Sequence, residues 1–279
     1  MIYLIVPTFG RIDDTKNFLH SLRNSIQKDY LVLLIDDHPK KLTLNIFKNE
    51  KNVIVYPTEK ELWWVGCINL GIKCLYDNFK LKSEDIVVFA NNDVKVEKNC
   101  FDILEEELQK NRYQILHPRT FNQDGIEVSS GSKVLSFFPY LSLHPKGFKQ
   151  YKKAIDMGTA RFLMMSGSVL RKVEYVNKNL IQYGGDNDFT LSAKRFYGIK
   201  SYIIRNAICK LNDTQTGIKN HNMINARQLY QSFFSIKSPN NIKYRFIFFK
   251  KFFGNAGSFF VTLSLTVNTI LKFIIKKLF

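Results

Sequence analysis

The sequence predicts an α/β fold, a doubly wound mixed sheet followed by a basic helical extension. Three observations carry this. Short apolar runs bounded by turn residues recur through the first 117 residues, as buried parallel strands do. Between them lie stretches whose apolar residues repeat at helical spacing. After Asp213 there are ten Lys and Arg and no acid, against a net charge of +17 for the chain. At 279 residues the chain can bury one large core, with room for a small appendage.

The elements follow in order. Strands are expected at 2–6, 31–35, 53–56, 86–90 and 114–117. Asp13-Asp14-Thr15 offers N-caps for a helix whose face is Phe18, Leu19, Leu22 and Ile26. A second helix is expected over about 66–79, through Ile68, Ile72, Leu75 and Phe79, and a third over 99–111, through Phe101, Leu104 and Leu108. This βαβ series makes the sheet doubly wound. Residues 118–155 mix Gly, Pro, Ser and aromatics and read as a loop or hairpin excursion. Ala160–Met165 is a strand, and Ser166-Gly167-Ser168 turns into a helix carrying Val169, Leu170 and Val173. Helix 186–197 and strands near 201–205 and 207–211 complete a first unit, 1–213, made of halves 1–117 and 118–213. A basic, aromatic, helical region, 214–279, follows.

Composition narrows the setting. Cys67, Cys74, Cys100 and Cys209 form no CxxC pair and the five histidines are scattered, which argues against a zinc site and for reduced thiols. The chain opens on the strand Ile2–Val6 with no charged n-region, so no signal peptide is expected. In 239–279, Phe259, Phe260, Leu263, Val267, Ile270, Leu271 and Ile274 form one apolar stripe, with Ser258, Thr262, Thr266, Thr269, Lys272 and Lys276 largely off it. That pattern predicts a helix lying in a membrane interface with its Lys residues toward anionic headgroups. Docking on the first unit, or on a second copy through these helices, is the alternative. The expected location is cytoplasmic, on the inner face of the cell membrane. No helix-turn-helix, zinc finger or aromatic RNA-binding motif is recognisable, so nucleic acid is not expected as a partner.

Five constellations carry chemistry. Val6-Pro7-Thr8-Phe9-Gly10-Arg11 runs a strand into a turn able to present N–H groups and Arg11 to a phosphate. Asp36 and Asp37 end a buried strand, where an acid can accept from a base N–H or a ribose hydroxyl, or cap a turn. Glu61–Gly71 holds both tryptophans, with Gly66 and Gly71 permitting close backbone approach. Asn91-Asn92-Asp93 closes another buried strand with oxygen ligands suited to Mg²⁺ or Mn²⁺ bound together with phosphates. Gly184-Gly185-Asp186-Asn187-Asp188 opens a helix with acids that cap it or serve as a base.

Singly none of these decides; their order does. Val-Pro-Thr-Phe-Gly-Arg, Ile-Asp-Asp, Gly66 with Asn69-Leu70-Gly71, and Asn91-Asn92-Asp93-Val94 resemble family 2 glycosyltransferases, and the Gly-Gly-Asp-Asn-Asp-Phe run resembles that family's acidic base motif. The resemblance covers roughly residues 1–210. It implies a GT-A fold, a nucleoside-diphosphate-sugar donor, a divalent cation, Mg²⁺ or Mn²⁺, and inversion at the anomeric carbon. It further implies a glycan or glycolipid acceptor and a place in cell-surface polysaccharide assembly. Carried over, Asp186 is the catalytic base and Asp93 the metal ligand. Pro7, Thr8, Arg11, Asp36, Asp37, Trp64, Gly66, Asn69, Asn91 and Asn92 face the donor. Gly184, Gly185 and Asp188 face the acceptor. Two departures stand out: Asn91 occupies the place of the metal motif's first acid, as in rhamnosyltransferase-like members, and Gly185 that of the Glu before the base. Two rival readings are a nucleotidyltransferase, for which Pro7–Arg11 is poor in glycine, and a non-enzymatic basic binder, which leaves the placed acids unexplained.

Overall fold

The computed structural model describes residues 1–212 and 225–278; Asp213 and Lys219 lie outside them. The N-terminal half alternates as the pattern predicts. It runs β1 (Ile2–Thr8), α1 (Ile12–Ser25), β2 (Tyr30–Asp36), α2 (Leu42–Phe47), β3 (Val53–Pro57), α3 (Trp63–Phe79) and β4 (Ile86–Ala90). Then come β5 (Val94–Val96), α4 (Cys100–Lys110) and β6 (Gln114–Phe121). The excursion contains β7 (Glu127–Val128), β8 (Gly131–Phe137), β9 (Tyr140–Leu143), β10 (Lys152–Ile155) and β11 (Met157–Gly158). The chain then returns through β12 (Phe162–Ser166), α5 (Gly167–Val173), α6 (Gly185–Tyr197) and β13 (Lys200–Leu211). The extension supplies α7 (Ala226–Phe234) and α8 (Ile242–Leu278).

The main sheet has the order β10-β13-β6-β12-β4-β1-β2-β3. β4, β1, β2 and β3 pair in parallel, and β12 runs antiparallel between β4 and β6. That makes the sheet mixed. β8, β9 and β11 form a smaller sheet beside it. The strand register puts alternate residues on opposite faces. Tyr3, Ile5, Leu33 and Phe89 therefore join α3, α5 and α6 in one core, while Leu4, Val6, Leu34 and Val88 join α1 and α4 in the other.

Several local expectations need correction. α2 and β5 were not expected; both are short and lack a full period. Asp13 and Asp14 lie in the first turn of α1 rather than capping it, so they act on the helix dipole. α3 starts at Trp63, three residues before Gly66, because acceptors from elsewhere in the chain hold its first N–H groups. The two final strands are one, β13, with an irregularity between Ile204 and Ile208.

The extension does not stand apart. Gly254 breaks α8 with φ 65° and ψ −170°, a backbone that favours glycine. The first arm buries Tyr244, Phe248 and Phe249 in the same core as β1 and α3. The second arm turns back: Ser258 Oγ donates to the Phe246 carbonyl at 2.5 Å, and Arg245 Nη2 donates to Thr269 Oγ1 at 3.4 Å. Asp188 on α6 ties the arm down through Lys251 Nζ at 2.8 Å.

Candidate active site

A cavity of about 640 Å³ opens beyond the carboxyl end of β4, with α8 along one side. Trp64, Asn91, Asp93, Arg161, Gly184 and Asp186 line its sheet side; Tyr140, Tyr244, Arg245, Phe248, Phe249 and Leu265 line the side toward α8. This is where open α/β sheets hold ligands.

Asp93 follows β4. Its Oδ2 accepts from Arg11 Nη1 at 3.4 Å, while Oδ1 is buried with no hydrogen-bond partner among the described residues. Burial raises its pKa above the ordinary carboxylate range; Arg11 and Arg161 pull it back. Asp186 opens α6. Its Oδ2 accepts from the Ala160 N–H at 3.2 Å and Oδ1 from the Asn187 N–H at 2.8 Å. Burial raises its pKa too, against those two N–H groups and Arg161. Arg161 thus lies within electrostatic reach of both acids. Its Nη1 donates to the Ser129 carbonyl at 2.5 Å, which fixes it beside them.

Position comes from the scaffold. Thr190 Oγ1 donates to the Asp186 carbonyl at 3.0 Å and accepts from the Gly158 N–H at 2.9 Å, joining the start of α6 to β11. Trp64 Nε1 donates to Asn91 Oδ1 at 3.0 Å, joining α3 to the end of β4.

Several residues expected at the site hold it together instead. Asp36 is wholly buried; its oxygens accept from the His38 and Leu44 N–H groups at 3.2 and 2.9 Å, which fixes the turn into α2. Asp37 accepts from the Leu62 and Trp63 N–H groups, both at 2.8 Å, and so starts α3. Thr8 is buried against Thr43, and Asn92 donates to Thr15 at 2.9 Å. Asn69 clamps the Val176 backbone from both sides, each bond 2.9 Å. Gly66 and Pro7 do not line the cavity. A Cβ on Gly185 would sit 2.6 Å from Val65 Cγ2, so this glycine lets α6 approach α3 rather than admitting an acceptor. Asp188 is 1 % exposed and occupied by Lys251. Arg11 reaches the site through its contact with Asp93. Trp64, Asn91, Asp93, Gly184 and Asp186 line the cavity.

Sequence reasoning missed Arg161, and it offered docking of 239–279 on the first unit only as an alternative, without placing Tyr244, Arg245, Phe248 and Phe249 at the site. Arg161 had a signal: it is a lone charge opening a buried strand, as Asp93 is a lone charge closing one.

Among the described residues no three His, Cys, Asp or Glu side chains cluster to hold a metal. Asn91 Oδ1 and Asn92 Nδ2 are already engaged. The orphaned Asp93 Oδ1 fits a cation of the kind bound by one carboxylate plus substrate phosphates.

Residues 3–173 match the family model described as Glycosyl transferase family 2. The chain belongs to that family. A curated relative, the low-salt glycan biosynthesis hexosyltransferase Agl10 of Haloferax volcanii, is 28% identical over 133 residues, covering 47% of this chain and 42% of that protein. The chain thus spans less than half the length of that relative. In fold it is similar to GalNAc-T7, solved with UDP, GalNAc and Mn²⁺, at TM-score 0.58 and 15% identity over 76% of this chain and 43% of that one. It is also similar to S. aureus TarS residues 1–349, at TM-score 0.56 and 13% identity over 98% of this chain and 72% of that one. At such identities the likeness is one of fold, and that fold is GT-A.

Proposed function

We propose that this chain is an inverting glycosyltransferase that moves a sugar from a nucleoside diphosphate to a hydroxyl of a lipid-linked glycan in cell-surface polysaccharide assembly. The observation that carries the reading is the pairing of Asp93 and Asp186 in one cavity with Arg161 in reach of both. Asp186 takes the proton of the acceptor hydroxyl. The acceptor oxygen forms its bond to the anomeric carbon as the bond from that carbon to the diphosphate oxygen breaks. The electron pair leaves on the diphosphate. Arg11 and Arg161 are fixed cations at the end of the cavity where that charge develops. Asp93 Oδ1 would hold a divalent cation, which when bound supplies further charge stabilisation to the departing diphosphate.

Surface attachment belongs to the same reading. Phe259, Phe260, Leu263, Val267, Leu271 and Ile274 on the second arm of α8 are exposed, while Ser258, Thr262 and Thr269 face inward. Ile242–Lys277 is long and apolar enough to cross a membrane. The break at Gly254 and the polar inward face favour a position in the interface instead, with Lys272, Lys276 and Lys277 toward anionic headgroups of the cytoplasmic leaflet.

A thermal-shift panel of UDP-, GDP- and dTDP-sugars, each with Mn²⁺, Mg²⁺ or EDTA, tests the donor reading. Stabilisation by one donor class that grows with the logarithm of its concentration is expected. No shift with any nucleotide-sugar would remove it.

A further inference from the structure

The α8 wall of the cavity holds a cation that the chemistry above does not use. Arg245 is held on three sides. Its Nε donates to the Pro239 carbonyl at 3.3 Å, and its Nη2 to Asn240 Oδ1 at 2.6 Å and to Thr269 Oγ1 at 3.4 Å. Its Nη1 is buried and has no hydrogen-bond partner among the described residues. No carboxylate lies within ion-pairing distance of it there, in contrast to Lys251 one helical stretch along the same arm. Burial pulls its pKa down to about 10, so it remains a cation at neutral pH.

A buried guanidinium with an idle N–H is costly unless an anion completes it. That anion is not an acid of the site. The charge of Arg245 is felt by Tyr140, whereas Asp93 and Asp186 respond to Arg161. The cavity therefore has two cationic ends: Arg11 and Arg161 beside the sheet, and Arg245 beside α8. Around Arg245 the wall is apolar, from Tyr140, Tyr244, Phe248, Phe249 and Leu265. Leu265 belongs to the same arm that exposes Phe260, Leu263 and Val267 on its other side. A guanidinium held by Nε and Nη2, with one idle nitrogen, set in an apolar wall next to an exposed apolar face, suits an amphiphile with a phosphate head. The idle Nη1 would donate a charge-assisted hydrogen bond to one phosphate oxygen.

Resting on the glycosyltransferase reading, we propose that Arg245 binds the phosphate of a lipid-phosphate acceptor, holding the carrier along the α8 wall while the sugar donor occupies the sheet end.

Farnesyl phosphate below its micelle-forming concentration serves as the probe, with farnesol and inorganic phosphate as controls. Binding to the full chain is followed by tryptophan fluorescence in the presence of a saturating nucleoside diphosphate. Wild type should bind farnesyl phosphate at least about tenfold more tightly than either control, the scale of a charged hydrogen bond. Arg245→Gln should lose that advantage and keep its nucleoside diphosphate affinity. Arg245→Lys keeps a cation without the nitrogen held in place by the other two and should lose about three- to tenfold. It decides the matter if the Gln variant does not fold. Unchanged affinity for farnesyl phosphate in the folded variants overturns the proposal. Inorganic phosphate binding as tightly as farnesyl phosphate would make this a free-anion site, and loss of nucleotide affinity in Arg245→Gln would make it a donor group; either result overturns the lipid assignment. Failure of every nucleoside diphosphate to bind wild type would count against the glycosyltransferase reading, while the farnesyl phosphate comparison still decides Arg245.

Discussion

Lys251→Ala should cost far more stability than an exposed lysine normally does. Asp188 is 1 % exposed, and Lys251 Nζ lies 2.8 Å from its Oδ2. Removing one partner of a buried pair costs about 3–5 kcal/mol, because the other charge is left without compensation. Lys251 itself is 35 % exposed, so water already reaches that end and the lower value, about 3 kcal/mol, applies. Asp188→Asn leaves behind a lysine that can turn to solvent and should cost only about 1 kcal/mol. pH gives an independent check. Burial raises the Asp188 pKa, with Lys251 pulling it back. Because the folded-state value lies above the unfolded one, the neutral acid is the form the fold favours. Its contribution is full below the unfolded pKa and is lost as pH rises through the folded one. The Lys251→Ala penalty should therefore shrink on acidification and grow toward neutrality. Urea unfolding of wild type, both single variants and the double variant at two pH values gives the coupling energy directly. Equal single-mutant losses below about 1 kcal/mol, unchanged with pH, would refute the buried-pair argument.

Other outcomes follow from the same contacts. Asn69→Ala removes both bonds to the Val176 backbone and should destabilise by about 1–3 kcal/mol in urea, with donor affinity changed only through loss of fold. Gly185→Ala forces a Cβ against Val65 and Val176 and should cost about 1–3 kcal/mol by the same assay. Asp93→Ala should abolish any dependence of donor binding on Mn²⁺ or Mg²⁺; wild-type and variant donor affinities equal to each other in both EDTA and Mn²⁺ would exclude a cation at Asp93. Replacing the exposed Phe259, Phe260 and Leu263 by Ser should release the chain from anionic liposomes while leaving its unfolding midpoint within about 1 kcal/mol of wild type. Equal pelleting of both would exclude the interfacial arm.

The parallel part of the sheet was legible because its central strands are continuous apolar runs. Ile2–Val6, Leu31–Ile35 and Ile86–Ala90 have no competing period. The acids were legible as positions but not as roles. Asp36, Asp37 and Asp186 all end or begin apolar segments and all accept backbone N–H groups, yet only the three-dimensional fold shows that Asp186 lines the cavity while Asp36 and Asp37 do not. The fate of 239–279 was harder. Alternating Lys and Phe with no acid reads as a membrane face, and the second arm of α8 keeps that character. The first arm buries Phe248 and Phe249 in the catalytic core, and its missing countercharge is supplied from Asp188, 63 residues away in sequence. No local pattern encodes a partner at that distance. It follows that a chain ending near Pro239 would lose a core wall, and its donor binding with it.

The central claim is that Asp186 is the base of a sugar transfer at this cavity. The direct measurement compares Asp186→Asn with wild type for nucleotide-sugar affinity, single-turnover rate and stability at pH 7. Burial raises the Asp186 pKa, so the variant is relieved of an ionisation cost. But Asn has one acceptor oxygen for the two N–H groups of Ala160 and Asn187, so the variant should lose about 1–3 kcal/mol and remain folded. Its donor affinity should stay within about twofold, while turnover falls by about a hundredfold or more. A variant that turns over at the wild-type rate, or one inactive only because it no longer folds or binds donor, would contradict the account.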